Sequence, residues 1–197
     1  MAAKNKSSKS KPARKPRADA ERNRLRLLET ARSAFAQKGP GASLEEIAAA
    51  AGVGIGTLYR HFPTRDALIE AVYRNESRQL VLAAEKLTAK HPPVTALREW
   101  LLVFVNYLDA KHGMAEVLNS LVGGASALYA ESGPQMKQAI AKLLKDAAAS
   151  DEIRWDTDPL DLLRALAGVM GKNAGPESKR AARHLVDILI AGMKTHS

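Results

Sequence analysis

The 197-residue chain contains no cysteine, which excludes a disulfide framework, a thiolate zinc site and a cysteine nucleophile. Aromatic residues make up only 5% of the chain and β-branched residues are few, which argues against a β-sheet protein. No stretch comes near the roughly eighteen consecutive apolar residues that a membrane-spanning helix needs. The N-terminus carries charges without an apolar segment behind them, so we expect a cytoplasmic protein with no membrane contact.

Alanine and leucine dominate the composition, and 46% of the residues are hydrophobic, which is enough for a sizeable core. We therefore predict an all-α fold of about nine helices. Periodicity, capping residues and Gly/Pro breaks predict helices at 19–38, 44–51, 55–61, 65–90, 94–111, 114–122, 134–149, 159–170 and 176–194, with a short turn-like helix at 126–130.

Positive charge is concentrated at one end of the chain. Residues 1–63 hold 13 Lys/Arg and 5 Asp/Glu, a net charge of +8, whereas residues 64–197 have a net charge of only +1. This asymmetry is typical of a nucleic-acid-binding module joined to a domain with another task. Residues 1–18 are basic and lack large apolar side chains, so we predict a disordered arm there. The arm either contacts DNA or serves only as a solubilising tail.

The stretch SLEEIAAAAGVGIGTLYRHFPTRDAL, residues 43–68, has the pattern of a helix-turn-helix. Ser43 and Glu46 form a capping-box sequence, which predicts a helix from Leu44. The small Ala48 allows close crossing of two helices, and Gly52 suits the turn between them. A plain helical hairpin with a solvated polar face is the alternative interpretation.

The second helix of this motif presents a polar set that suits a DNA major groove. Thr57 and Tyr59 can donate to phosphates, and Arg60 can pair bidentately with a guanine edge. His61 can reach a base or a phosphate, and Arg65 can hold the DNA backbone.

The order of elements and the segment GVGIGTLYRHFPTRDALIEAVY resemble the TetR family of bacterial transcriptional regulators. The resemblance is specific over about residues 20–73, while the segment DEIRWDTDPLDLL looks like the approach to the family's penultimate helix. It implies a dimeric repressor that binds double-stranded operator DNA and is released by a small-molecule effector. The implied DNA-binding residues are Ser43, Gly54, Ile55, Gly56, Thr57, Tyr59, Arg60, His61 and Arg65.

We divide the chain into the basic arm at 1–18, a helix-turn-helix domain at 19–63 and a ligand-binding and dimerisation domain at 64–197. The helix at 159–170 is apolar on nearly all sides, so a second copy of the chain would have to cover part of it. The resemblance likewise implies a homodimer through the last two helices. The predicted interface residues are Leu163, Leu166, Met170, Ala181, Leu185, Ile188, Leu189 and Met193.

Aromatic and methionine side chains in the C-terminal domain are candidates for an effector pocket, although each taken alone suits an ordinary core. The candidate lining residues are Trp100, Phe104, Tyr107, Met114, Leu118, Leu121, Tyr129, Met136 and Trp155. Their scarcity of charge favours a largely apolar ligand, with Asn106, Asn119 and Ser120 as orienting groups.

Two other function classes compete with a regulator. A small helical enzyme is disfavoured because the five histidines have no metal-ligand spacing and Gly52–Gly56 lacks the context of a nucleotide loop. We predict neither a metal nor a cofactor. A sequence-independent architectural DNA-binding protein explains the basic arm but leaves the large neutral domain without a task.

Overall fold

The structure is a computed structural model that describes residues 16–171 and 175–195; most of the predicted basic arm at 1–18 lies outside these ranges. Within them the fold is all-α, as predicted, and the only β feature is an isolated bridge between Ile153 and Lys194. In chain order the described helices are α1 (Pro16–Lys38), α2 (Leu44–Ala50), α3 (Ile55–His61), α4 (Arg65–Thr88), α5 (Pro93–Gly113), α6 (Ala115–Asn119), α7 (Ser126–Ala148), α8 (Pro159–Met170) and α9 (Pro176–Met193), with a 3₁₀ turn at Gly39–Gly41.

Helices α1, α2 and α3 form a small unit around shared apolar side chains. Because α2 and α3 have only seven residues each, neither would be stable without tertiary packing. Helix α2 packs against both α1 and α3, and the apolar side chains of all three helices belong to one core. The buried side chains of this unit are Leu27, Leu28, Ala31, Phe35, Ile47, Ala48, Leu58 and Phe62.

Helix α4 connects this unit to the rest of the molecule. It begins where the Thr64 hydroxyl accepts a 3.0 Å hydrogen bond from the backbone N–H of Ala67. Its 24 residues include no glycine or proline, and it packs against α1 as well as against α5 and α7. Buried residues such as Leu68 and Val72 belong to a single hydrophobic core that runs through both parts of the described chain.

Helix α5 is the centre of the C-terminal part and contacts α4, α7, α8 and α9. Trp100 is fully buried, and its indole N–H donates a 2.9 Å hydrogen bond to the carbonyl of Leu80 on α4. Partly exposed ion pairs join α9 to α5, at 2.7 Å between Arg98 and Asp187 and at 2.8 Å between Lys179 and Asp109. The buried apolar residues of α9 fix which side of this helix faces the core.

One predicted helix break is wrong. Helix α7 continues through Pro134, where we expected one helix to end and another to begin. Proline removes an N–H and crowds the carbonyl of the residue four positions earlier, which here is Ala130. Both residues are exposed, so water can satisfy that carbonyl. Buried Leu128 and Met136 on either side belong to one apolar face, which holds the helix together.

Two helix ends also differ from the prediction. Helix α1 begins at Pro16, three residues before the predicted cap Asp19, as suits a proline in a first helical turn. Helix α6 ends at Asn119 and does not reach Val122, which is 93% exposed. The chain turns there because Gly123 and Gly124 adopt left-handed backbone angles, with φ of +84° and +73°.

Candidate nucleic-acid interface

Helix α2 has a well-defined cap at each of its two ends. The Ser43 hydroxyl accepts from the backbone N–H of Glu46 at 3.3 Å and so caps α2. At the other end Gly52 has φ of +68° and donates to the carbonyl of Ala49, while Val53 donates to that of Ala48. This pair of bonds is a Schellman motif, in which glycine avoids the cost of a left-handed conformation.

Helix α3 buries one side and leaves the opposite side free. Leu58 is fully buried, and the cap residue Phe62 is 2% exposed. Tyr59 is 44% exposed, and Arg60 is also exposed. The polar residues predicted from the sequence to read DNA therefore include two that are open to solvent. Thr57 and His61 are half-buried at the edges of the same helix, and their role as DNA contacts stays a prediction.

Packing among the described residues does not require the glycines at the start of α3. A Cβ atom built at Gly54 or at Gly56 would have no atom within 4 Å. Both residues are exposed, as is the intervening Ile55 at 36%. A surface without side chains is what the close approach of another molecule's backbone requires.

Arg65 has partners inside the protein. Its guanidinium donates hydrogen bonds of 2.6 Å to the carbonyl of Ala42 and 2.7 Å to that of Pro40. The same group lies over the ring of Phe35, 5.2 Å from its centroid. The sequence predicted a phosphate contact here, but in the structure this fork closes the α1–α2 loop against the start of α4.

Two arginines of α1 flank the helix-turn-helix, although no sequence motif points to them. The Arg24 guanidinium lies over the ring of Phe62, 5.6 Å from its centroid, at the end of α3. A guanidinium nitrogen of Arg26 lies 4.0 Å from where a Cβ of Gly52 would be. The basic run around Leu25 and Leu27 was the available signal, but helical periodicity alone does not say which neighbours these cations meet.

The aromatic residues proposed as effector-pocket lining lie mainly in a close-packed core. Trp100, Phe104 and Tyr107 follow one another along α5 with ring centroids 5.9 and 6.0 Å apart. Seven of the nine candidates are at most 8% exposed; these are Trp100, Phe104, Tyr107, Met114, Leu118, Leu121 and Met136. Asn106, Asn119 and Ser120 are on the surface. A ligand lined by these residues would have to displace packed side chains, and this role stays a prediction.

The other two candidates lie apart from this stack. Tyr129 lies under the ammonium group of Lys111, 3.9 Å from the ring centroid, at a cavity of about 290 Å³. Trp155 lines a separate cavity of about 570 Å³ with Arg154 and Thr195, near the end of α9. Among the described atoms its buried indole N–H has no hydrogen-bond partner.

A chain of buried hydroxyl groups joins α4, α5 and α7. The Tyr107 hydroxyl donates to that of Tyr73 at 3.1 Å, and the Tyr73 hydroxyl lies 2.9 Å from that of Ser132. The Ser77 hydroxyl lies 3.5 Å from that of Tyr107. Burial raises the pKa of Tyr107 well above its ordinary value of 10, so this group stays a neutral hydroxyl.

The predicted dimer residues divide into two groups. Leu163, Leu166, Met170 and Met193 are at most 9% exposed within a single chain, so they already belong to its core, and their role at an interface stays a prediction. They are buried because α8 and α9 pack against each other and against α5. The remaining four, Ala181, Leu185, Ile188 and Leu189, are at least partly exposed, and Ile188 is 53% exposed.

Other kinds of site find no support in the described residues. Nowhere in the part of the chain that the structure describes do three His, Asp or Glu side chains gather as a metal site requires. None of the described helices combines the length and apolar character needed to cross a bilayer.

Comparison with known proteins gives matches over both parts of the chain. Residues 27–72 match the family described as "Bacterial regulatory proteins, tetR family", and residues 92–195 match "Transcriptional regulator SbtR-like, C-terminal domain". The fold resembles the crystal structure of a TetR transcriptional regulator from Streptomyces coelicolor, with a TM-score of 0.81 and 41% identity over 88% of this chain and 99% of that one.

Further relatives agree with these matches. A TetR transcription regulatory protein from Mycobacterium vanbaalenii has a TM-score of 0.75 and 31% identity over 91% of this chain and 99% of its own. The probable acrEF/envCD operon repressor of Escherichia coli strain K12 is 36% identical over 99 residues, or 49% of this chain and 45% of the repressor. An HTH-type regulator of Staphylococcus aureus is 31% identical over 59% of this chain and 62% of its own. The chain thus spans about half the length of these curated relatives.

Proposed function

Because the chain belongs to the TetR family of bacterial transcriptional regulators, we propose that it is a homodimeric repressor that binds a short, near-palindromic operator. The family and the structural neighbours are regulators and not enzymes. A repressor must reach chromosomal DNA, so we expect the protein to act in the cytoplasm.

The exposed side of α3 is the observation that carries this proposal. Arg60 and Tyr59 extend from it, and the side-chain-free surface of Gly56 lies on the same side. A seven-residue helix that presents an arginine, a tyrosine hydroxyl and no bulky obstruction suits a major groove. Arg60 supplies base recognition in this proposal, and Tyr59 supplies a phosphate contact.

A second copy of the chain would give the two recognition helices their spacing. Helix α9 buries Ala182, Val186 and Ile190 within the chain, yet carries the exposed Ile188 on another side. Val169 of α8 is likewise 40% exposed. Covering such apolar surface is favourable at about 25 cal/mol per Å². Pairing α8 and α9 with their copies therefore stabilises a two-fold dimer.

The proposal also includes release of the operator by a small molecule bound in the C-terminal part. Helix α4 supports it, because the helix runs without a break from beside α3 to the packing surface of α5 and α7. A displacement at one end is transmitted to the other. Two recognition helices must lie about 34–36 Å apart to fit successive major grooves, so a shift of a few ångströms weakens one half-site.

Selection from random duplex DNA tests the function. The full chain is mixed with a pool of duplexes, and bound DNA is recovered, amplified and sequenced over several rounds. We expect an inverted repeat whose half-sites are about one helical turn apart, bound by two chains. Recovery of no preferred sequence would contradict the proposal and support the sequence-independent architectural alternative.

A further inference from the structure

A cavity of about 440 Å³ lies where the DNA-binding unit meets the C-terminal part. It is lined by residues of α1, α4 and α7. Its volume falls in the range of small-molecule sites. Three of the buried hydroxyl-bearing residues described above, Tyr73, Ser77 and Ser132, contribute to its lining, each at most 8% exposed.

The rest of the lining is rich in positive charge. Arg24, Arg74 and Arg78 line the cavity, against a single carboxylate, that of Glu131. Arg74 is already paired, at 3.1 Å with Glu131 and at 2.9 Å with Glu70. Neither Arg24 nor Arg78 has an ion-pair partner within residues 16–171 and 175–195. Two guanidinium groups thus remain available to a negatively charged group.

We propose that this cavity is the effector site and that it binds a small organic anion through a carboxylate or phosphate group. The inference rests on the proposed function, because it names the ligand class of the same regulator. Guanidinium groups hold carboxylates and phosphates with paired hydrogen bonds, and the hydroxyls of the lining can hold a polar group of the ligand. The sequence suggested an apolar ligand lined by aromatic side chains. Those side chains already pack against one another, whereas this cavity offers guanidinium groups, so the proposed ligand is an anion.

Arg24 connects this site to the recognition helix. It lines the cavity, and its guanidinium also lies over the ring of Phe62, the residue that ends α3. An anion in the cavity attracts Arg24 away from that ring and changes the support of α3. Operator binding and anion binding therefore oppose each other, with a coupling of about 5–150-fold, the usual size for allosteric sites.

The test uses the full chain and a panel of small carboxylic and phosphoric acids, each paired with its neutral amide or ester. Binding is measured by calorimetry with and without the selected operator. We expect acids from the panel to bind more tightly than their neutral partners, and operator to weaken their binding by the coupling factor. Binding of the neutral compounds as tight as that of the acids, or no binding of any acid, would overturn the proposal.

Two variants on α4 separate the cavity from general charge effects. Arg78→Gln removes a cavity cation, while Lys86→Gln removes one exposed charge from the same helix away from the cavity lining. We expect Arg78→Gln to weaken acid binding at least about tenfold, the loss of one charge-assisted hydrogen bond, and Lys86→Gln to leave it unchanged. Equal effects would place the anion elsewhere and overturn the assignment.

A third variant tests the connection to α3. Arg24→Gln should weaken acid binding and abolish the effect of the acid on operator affinity. If acid still weakened operator binding of this variant by the wild-type factor, Arg24 would not connect the two sites. Operator binding without acid is measured in parallel: if the wild-type chain binds no operator, the proposed function has failed, whereas operator binding without acid binding refutes this inference alone.

Discussion

The guanidinium of Arg65, in the first turn of α4, donates a 2.6 Å hydrogen bond to the carbonyl oxygen of Ala42, just before α2. A second bond to the carbonyl of Pro40 uses the other side of the same fork. Arg65 therefore holds the DNA-binding unit against the connector helix. This arrangement gives the residue a structural task, and the phosphate contact that its position in the sequence suggests stays a prediction.

Replacing Arg65 with alanine should lower the free energy of unfolding by about 1–3 kcal/mol, because two backbone carbonyls lose a charged donor. Lysine should recover only part of this, since an ammonium group cannot reproduce the two-pronged contact. Urea unfolding at a fixed chain concentration measures both effects. In Arg65→Ala the slope of DNA affinity against salt concentration should stay that of the wild type. If the slope fell by the amount of about one phosphate contact while the free energy of unfolding stayed unchanged, Arg65 would instead bind DNA.

Alanine at two glycines of the helix-turn-helix should have opposite effects on stability. Gly52→Ala should destabilise the protein by about 1–2 kcal/mol, because φ of +68° is unfavourable for a residue with a Cβ. Gly56→Ala should stabilise it by about 0.5–1 kcal/mol, since the new methyl group meets nothing and favours the helix. The same Gly56 variant should bind operator more weakly. Unchanged operator affinity would show that DNA does not approach this surface.

A charge at Ile188 should prevent dimer formation. Ile188→Asp places a carboxylate in the exposed apolar patch of α9, where the side chain is 53% exposed and contributes little to the fold of one chain. Light scattering at micromolar concentration should show a monomer. Val122→Asp, at a position that is 93% exposed in the α6–α7 loop, is the matched control and should remain dimeric. If both variants remained dimeric, the interface would lie elsewhere.

The Glu76 carboxyl should make stability depend on pH. Burial raises its pKa above the ordinary value of 4.5, although Arg32, 3.9 Å away, opposes this. The folded state therefore binds the proton more tightly than the unfolded state. The resulting stabilisation is complete below the unfolded pKa and is lost as pH rises through the folded pKa.

Glu76→Gln mimics the protonated form and should remove this loss. The variant should be more stable than the wild type at neutral pH, and the difference should disappear in acid. Urea unfolding across about pH 4–8 measures it. Glu85→Gln, at an exposed position on the same helix, is the control. If the wild type were more stable than Glu76→Gln at neutral pH, the attraction of Arg32 would outweigh the cost of burying the carboxylate.

Local signals predicted much of the fold. The cap at Ser43, the turn at Gly52 and the limits of α3 and α8 depend on residues near in sequence, and each lies as predicted. The continuity of α7 could not be predicted in this way. Pro134 is a strong local break, and only the packing of both halves on one core overcomes it.

Side-chain partners were harder to predict than helices. Helical periodicity identifies an apolar face, but α9 has two, and sequence alone does not say that Met193 faces its own chain while Ile188 does not. The same holds for Arg65, whose carbonyl partners lie 23 and 25 residues earlier in the chain. The charged cavity near Arg24 depends on three helices meeting, so no segment of sequence contains its pattern.

The central claim is that the exposed side of α3 reads the operator, and the affinity ratio between the selected operator and a scrambled duplex tests it most directly. Fluorescence anisotropy at several salt concentrations gives this ratio for the wild type and for Arg60→Ala. The account predicts that Arg60→Ala loses about 1–3 kcal/mol of binding free energy on the operator. On the scrambled duplex it should lose only the small, sequence-independent contribution of one positive charge. An equal loss on both duplexes, or no loss on either, would contradict it.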